Sequence, residues 1–268
     1  MTTPTESAQL PIPYVKGHAL LEGRTVVITA AAGAGIGAAT ARRCLEEDAR
    51  AVVIGDIHQR RLDDLTVTLR KEFGDDRVSS VLSDVTNEEQ VTALLDAAEP
   101  FGGVDVLINN AALGATISIL DITDEQWSRI LDVTLNGTFR CLRNAARRMV
   151  ARGTKGAIVN NASILGWRAL AGQAAYAASK AGVMALTRDA AMDVAKYGIR
   201  VNCVAPSLVL NPFLAKVTSE ELLAEWEKAE AFGRSAEAWE VANVMVFLAS
   251  DYASYMTGEV VSVSCQHP

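Results

Sequence analysis

The sequence predicts a single α/β domain built on a doubly wound parallel sheet of seven strands, with helices on both faces. Three observations carry this. From Arg24 onward, short β-rich runs alternate with longer runs of helical periodicity. Most of the β-rich runs are near-continuously apolar, as strands covered by helices on both faces must be. Seven such runs separated by crossover-length helices call for parallel pairing.

Residues Met1 to Ala19, with Pro4, Pro11 and Pro13, read as an irregular arm, so 1–20 is taken as an arm and 21–268 as the domain. The expected strands are Thr25–Thr29, Ala51–Gly55, Val78–Leu82, Val104–Ile108, Ala157–Asn161, Ile199–Val204 and Val260–Val263. Between them lie expected helices over Ile36–Glu47, Arg60–Glu72, Glu88–Glu99, Glu125–Arg152, Ala174–Tyr197 and Trp239–Ser250. Thr86-Asn87-Glu88-Glu89 and Thr123-Asp124-Glu125 supply plausible helix caps. A mostly apolar segment over about 208–235, containing Phe213, Leu214, Leu222, Leu223 and Trp226, reads as a lid.

Composition narrows the partners. The chain has 268 residues and a formal net charge of −7, with 32 acidic and 25 basic side chains. No basic stripe suggests nucleic acid. No apolar run approaches the roughly 20 residues of a membrane helix, and the start lacks a signal pattern, so a cytoplasmic protein is expected. Cys44, Cys141, Cys203 and Cys265 are scattered, as are His18, His58 and His267, which argues against a metal site or a disulfide framework.

In a doubly wound sheet the ligand lies beyond the carboxyl ends of the strands. The first strand runs into Thr29-Ala30-Ala31-Ala32-Gly33-Ala34-Gly35-Ile36-Gly37 and then a helix. Glycines there permit a tight turn and close approach of a pyrophosphate, which the helix N-terminus attracts. Asp56 ends the second strand, where a carboxylate accepts ribose hydroxyls and repels a 2′-phosphate, favouring NAD over NADP. Arg60 and Arg61 are the counter-evidence. Asp84 and Val85 after the third strand, and Asn110 and Ala111 after the fourth, are placed to meet a cofactor; Asp84 also suits a helix cap and Asn110 a clamp between strands.

The fifth strand ends at Asn160-Asn161-Ala162-Ser163, and Tyr176-Ala177-Ala178-Ser179-Lys180 opens the next helix. Tyr176 and Lys180 are four apart and share a helical face. A phenol can pass the carbinol proton while hydride moves to or from nicotinamide, and a neighbouring ammonium lowers its pKa from about 10. Ser163 can hold the substrate oxygen against it.

With these motifs in order, the chain resembles the short-chain dehydrogenase/reductase family from about Leu21 to near its C-terminus. The resemblance implies a Rossmann-type fold, NAD or NADP as cofactor and no metal. It also implies a homotetramer or homodimer formed through the helices Glu125–Arg152 and Ala174–Tyr197. It makes Ser163 the substrate-orienting group, Tyr176 the acid/base, and Lys180 the residue that binds the nicotinamide ribose and tunes Tyr176. Gly33, Gly35, Ile36, Gly37, Pro206 and Val209 fall among the cofactor-contacting positions. Four departures stand out: the glycine turn is one residue longer, with Ala30 or Ala31 where a glycine is expected; Ala112 ends the Asn-Asn-Ala-Gly element; Thr134 occupies the place of a fourth catalytic residue, an asparagine, with Asn136 two residues on; and Pro206-Ser207 replaces Pro-Gly, with Asn211 near the family's carboxamide-touching threonine.

Leu113-Gly114, Ile164–Trp167 and the lid are the expected substrate contacts, and they suggest an apolar or polycyclic substrate. No basic cluster marks a coenzyme A phosphate. The Ala-rich turn, the run Asn160–Arg168 and the ending Ser262–Pro268 are similar to an actinobacterial branch linked to steroid breakdown, acting on hydroxylated bicyclic indane-propionyl thioesters. The alternative is a 3-oxoacyl thioester reductase of the fatty-acid type. Cys265 and His267 suggest a tail that packs at a subunit interface or closes a pocket.

Overall fold

The protein is described here by a computed structural model covering residues 16–210 and 219–265. Seven strands form one parallel sheet in the order β3-β2-β1-β4-β5-β6-β7. They are β1 Thr25–Thr29, β2 Ala51–Asp56, β3 Val78–Leu82, β4 Val106–Asn109, β5 Ala157–Asn161, β6 Arg200–Pro206 and β7 Val260–Val263. The helices of the described residues are α1 Ile36–Glu46, α2 Gln59–Phe73, α3 Glu88–Asp96, α4 Asp124–Leu131, α5 Gly137–Arg152, α6 Ala174–Val194, α7 Glu220–Ala229 and α8 Ala238–Ala249.

The continuous apolar strands are explained by the two cores. On β1, Val26 and Ile28 enter one hydrophobic cluster while Val27 enters another across the sheet. On β2, Val52 and Ile54 divide from Val53 in the same way. One core adds Ala41 of α1, Leu62 and Leu69 of α2 and Val241 of α8; the other adds Leu94 of α3, Leu142 of α5 and Ala190 of α6. Side chains alternate across a strand, so a strand buried on both faces has no polar position to spare. Strands β3 and β7, at the sheet edges, are only partly buried.

Strand β1 pairs with both β2 and β4, so the winding reverses between β1 and β4. In sheets wound this way the ligand lies at that point beyond the carboxyl ends, here between the glycine turn and the segment after β4. The turn is held from behind by Gly37, because a Cβ there would come within 2.4 Å of the Ala30 carbonyl oxygen and 2.7 Å of Asn110 Nδ2.

Two expectations need correction. The helix expected over Glu125–Arg152 is three pieces, with one turn of π-helix at Asp132–Asn136 between α4 and α5. A wider turn of this kind accommodates an extra residue within a helix. The strands expected over Val104–Ile108 and Ile199–Val204 are paired over Val106–Asn109 and Arg200–Pro206, since apolar character continues past the ladder at its amino ends. Both expected caps are present: Asn87 accepts from Gln90 N, and Thr123 forms a reciprocal box with Gln126. Most of the expected N-terminal arm lies outside the described residues. Among those described, no helix is long and apolar enough to cross a membrane, and no cluster of His, Cys, Asp and Glu is arranged to hold a metal.

Replacing Gly37 with Ala forces the turn away from α1. Equilibrium denaturation should show a loss of about 1–3 kcal/mol; a wild-type midpoint would contradict the close packing.

Candidate active site

The glycine turn combines a clamped back with an open front. Gly33 has φ +96°, and an added Cβ at Gly33 or Gly35 would meet nothing within 4 Å. Gly35 is the N-cap of α1, whose first turn carries no acidic side chain and whose cap makes no side-chain hydrogen bond. Open space before a bare helix N-terminus suits a pyrophosphate, and Ile36 and Gly37 are the first residues of that helix. Of Ala30 and Ala31, at one of which the resemblance leads one to expect glycine, Ala30 adopts φ +50° despite its methyl group. That conformation costs an L-residue about 1–2 kcal/mol.

Asp56 flanks this cradle. It is buried, and its two carboxylate oxygens accept from Ala32 N at 2.9 Å and His58 N at 3.0 Å. A carboxylate has about four acceptor sites, so each oxygen retains capacity for a hydroxyl donor. Arg60 and Arg61 are exposed at the start of α2. Asp84 closes a local turn, accepting from Thr86 N at 2.9 Å and Thr86 Oγ1 at 2.8 Å, and the Val85 side chain is packed in the core against Gly137.

Asn110 acts as the clamp that the sequence left open. Its Nδ2 donates to the Ala30 carbonyl at 2.9 Å, and its backbone N and that of Ala111 both donate to Thr29 Oγ1 at 3.0 Å. Its Oδ1 accepts from Asn161 Nδ2 at 2.9 Å. One layer below, Asn109 Nδ2 donates to Asn160 Oδ1 at 2.8 Å and Asn160 Nδ2 to Thr187 Oγ1 at 2.9 Å. Asn161, Asn109 and Asn160 were missed as site-building residues. The signal was present: an Asn-Asn pair ends both β4 and β5, and these strands are neighbours in register.

Ser163, Tyr176 and Lys180 come together beyond β5. Ser163 is buried, caps the 3-10 turn Ile164–Gly166 and accepts from Leu165 N at 3.2 Å. Tyr176 lies in the first turn of α6, and a Cβ at Gly114 would stand 3.5 Å from its ring. Lys180 is 1 % exposed; its Nζ donates to the Asn161 carbonyl at 2.5 Å and lies 5.4 Å from the centroid of the Tyr176 ring. Burial pushes the Tyr176 phenol up to about 12, and a hydrogen bond with Ser163 opposes this. Burial pushes the Lys180 ammonium down to about 8. The phenol is thus raised by desolvation and opposed by Ser163, whereas the expected lowering by Lys180 is not among the causes of its shift; a buried site disfavours either charged form.

Thr134 also departs from expectation. It is fully buried in the π-turn, and its Oγ1 accepts from Leu113 N at 3.0 Å and donates to Leu113 O at 3.3 Å. The hydroxyl at the place expected of a fourth catalytic residue is thus engaged with the Leu113 backbone as both acceptor and donor. Its own carbonyl accepts from Thr138 Oγ1 at 2.7 Å. Asn136 donates to Asp132 Oδ1 at 3.1 Å, turned along its own helix. Pro206 ends β6 opposite Val263, and Val209 bridges to Ala236. Asn211, Phe213, Leu214 and His267 lie outside the described residues.

The cradle and the buried polar atoms fit a dinucleotide. Besides the open turn, Asn161 Oδ1 is buried with no hydrogen-bond partner among the described residues, close in sequence to the carbonyl that holds Lys180. An orphaned acceptor of this kind is costly unless a donor arrives.

Comparison with known proteins agrees with this geometry. A short-chain dehydrogenase family model described as enoyl-(acyl carrier protein) reductase matches residues 30–265. A (5R,7aS)-5-hydroxy-7a-methyl-1-oxo-2,3,5,6,7,7a-hexahydro-1H-indene-carboxyl-CoA reductase of Mycobacterium tuberculosis is 54 % identical, over 95 % of this chain and 97 % of the relative. A cis-4-hydroxycyclohexanecarboxylate dehydrogenase of Sinomonas cyclohexanicum is 43 % identical, over 92 % and 97 %. A crystal structure of a short-chain dehydrogenase from Mycobacterium smegmatis superimposes with a TM-score of 0.85 at 48 % identity, covering 97 % of this chain and 99 % of that one. The chain belongs to the short-chain dehydrogenase/reductase family. It is an oxidoreductase that interconverts an alcohol and a ketone with a nicotinamide cofactor.

The Thr134 clamp has a simple test. Thr134→Ala strands the half-buried Leu113 N–H and should cost about 1–3 kcal/mol in equilibrium unfolding. Thr134→Ser, which keeps the hydroxyl, should recover most of the loss; equal losses would assign the effect to packing alone.

Proposed function

We propose that this enzyme prefers NAD and acts on a secondary alcohol or ketone on an apolar ring system carried as a coenzyme A thioester. The observation that carries the reading is the convergence of Ser163, Tyr176 and Lys180 beside the open glycine cradle, with Asp56 at the cradle's edge. The ring and the thioester are supported by the activities for which the two relatives are named, a hydroxy-indene-carboxyl-CoA reductase and a hydroxycyclohexanecarboxylate dehydrogenase. These favour a ring alcohol over the simple acyl thioesters of a fatty-acid reductase.

A nicotinamide bound beside these residues would supply the hydride to a ketone carbon or accept it from a carbinol carbon. Ser163 holds the substrate oxygen. Tyr176, protonated at neutral pH, gives its proton to a ketone oxygen and takes it back in the oxidative direction. Lys180, fixed by the Asn161 carbonyl, holds the ribose beside Tyr176 and favours the phenolate by its charge. Thr134 acts at one remove, by holding Leu113 and so Gly114 against the Tyr176 ring. Gly33, Gly35 and Ile36 receive the pyrophosphate. Asp56 reads the adenosine ribose, while Arg60 and Arg61 remain in solvent.

The described residues 219–235 close over the substrate. Glu230 supports this, because it accepts from Leu208 N at 3.3 Å and from the Cys265 thiol at 3.1 Å, tying the base of α7 to β6 and to the tail. A homotetramer or homodimer forms through α5 and α6. Between them runs a groove of about 520 Å³ with Phe139, Leu142, Val150 and Leu186 along it. A cytoplasmic, single-domain enzyme with a short N-terminal arm completes the proposal.

The test is direct binding of NADH and NADPH to the wild type and to Tyr176→Phe, with turnover measured on a hydroxycyclohexane- or hydroxyindane-carboxyl-CoA. NADH should bind more tightly to both proteins, and turnover should fall about 10²–10⁴-fold in the variant. Ketone reduction by the wild type should hold through neutral pH and decline above about 8, where Lys180 loses its proton. Preference for NADPH would overturn the role of Asp56, and retained turnover the role of Tyr176.

A further inference from the structure

Two loops border the substrate side of the Tyr176 ring. One follows β4 and runs from Leu113 to Ile122; the other follows the Ile164–Gly166 turn and runs from Trp167 to Gln173. They are fastened together, since Ile117 N donates to Gly172 O at 2.9 Å and Gln173 Nε2 donates to Thr116 Oγ1 at 2.9 Å. Gly172 is required at that junction: its φ is +77°, and a Cβ would meet Thr116 Cγ2 at 2.9 Å. The seam begins at Gly114, which lies against Tyr176, and leads outward.

Along this seam the chain exposes large apolar side chains instead of burying them. Ile119 is 64 % exposed, Leu120 89 %, Trp167 52 % and Leu170 39 %. Large apolar side chains exposed on both of two joined loops suit a surface that something covers. Arg168, between Trp167 and Leu170, is also exposed, and no hydrogen bond or ion pair engages its guanidinium among the described residues. The contrast with Arg234 near the lid is direct, because that guanidinium is spent in a two-pronged pair with Glu240.

We infer that this seam is the track for the arm of the substrate's carrier, and that Arg168 takes the carrier's phosphates at its outer end. The inference rests on the thioester reading above and adds where the thioester lies. A pantetheine arm is an extended chain of methylene and amide groups ending in phosphates. The apolar side chains match its methylenes, and the free guanidinium matches its anionic end by charge. In a chain with net charge −7, a local cation of this kind also opposes the general repulsion of a polyanionic carrier. No basic cluster is needed, which agrees with the absence of one in the sequence.

The experiment compares one ring acyl group on two carriers. The probes are the hydroxy-methyl-oxo-hexahydroindene-carboxyl group as its coenzyme A thioester and as its N-acetylcysteamine thioester, which lacks the phosphates. The wild type should favour the coenzyme A thioester in kcat/KM. Arg168→Glu should reduce that preference about tenfold, through KM, and Arg168→Lys should restore part of it. Raised ionic strength should erode the wild-type preference in the same direction. A preference unchanged in Arg168→Glu, or equal turnover of both thioesters by the wild type, overturns the assignment of Arg168 and leaves the thioester reading standing. Turnover of the free ring alcohol with neither thioester accepted overturns the thioester reading, and this inference with it.

Discussion

A line of hydrogen bonds runs across the carboxyl ends of three neighbouring strands, from the Ala30 carbonyl through Asn110 and Asn161 to the Lys180 ammonium. Everything chemical in the molecule hangs on this line. At one end it fixes the turn that would hold a pyrophosphate; at the other it fixes the lysine beside Tyr176. The Asn110 side chain uses both its donor and its acceptor, and Asn161 donates from its amide while its own backbone carbonyl holds Lys180, so position passes from one strand to the next. Inside a low-dielectric site such a chain is stiff and each member polarises the next. The distance between the two halves of the site is thereby set by the sheet and not by flexible loops.

The sheet can set that distance because its strands are buried on both faces. A one-residue slip of β1, β4 or β5 would exchange the two sets of core side chains and also move every asparagine along the line. Packing and chemistry are therefore tied to one register. Lys180 shows the cost of the arrangement. Its ammonium is buried with a carbonyl partner, and burial alone lowers its affinity for a proton to the edge of the working pH range. The same burial keeps the Tyr176 phenol protonated even against the Ser163 hydrogen bond that favours the phenolate.

Much of this was legible in the sequence, for particular reasons. The apolar runs gave the strands because doubly covered strands have no polar face, and Tyr176 and Lys180 stood out because their spacing is helical. The glycine turn was recognisable by order alone, strand then glycines then helix. What was hidden depended on geometry that a linear pattern does not carry. The break at Asp132–Asn136 is invisible to helical periodicity, which runs through it almost undisturbed. Thr134 looked like a lesser catalytic group, yet its hydroxyl grips the two backbone atoms of Leu113, and only burial reveals that. The sequence also raised Ala30 as an anomaly without showing that the methyl group sits in a left-handed conformation. Asn109-Asn110 and Asn160-Asn161 were read as strand ends; their joint meaning needed the knowledge that β4 and β5 are neighbours in register.

The central claim is that Asn110 and Asn161 act as one unit linking the cofactor turn to Lys180. The most direct measurement is a double-mutant cycle of Asn110→Ala and Asn161→Ala, read on NADH affinity and on kcat. Members of one network are strongly non-additive, whereas independent sites add to within about 0.5 kcal/mol. The account predicts that either single variant weakens cofactor binding and lowers kcat, and that the double variant is little worse than the worse single one. Losses that simply add, or an Asn110 variant that alters binding without touching kcat, would contradict it.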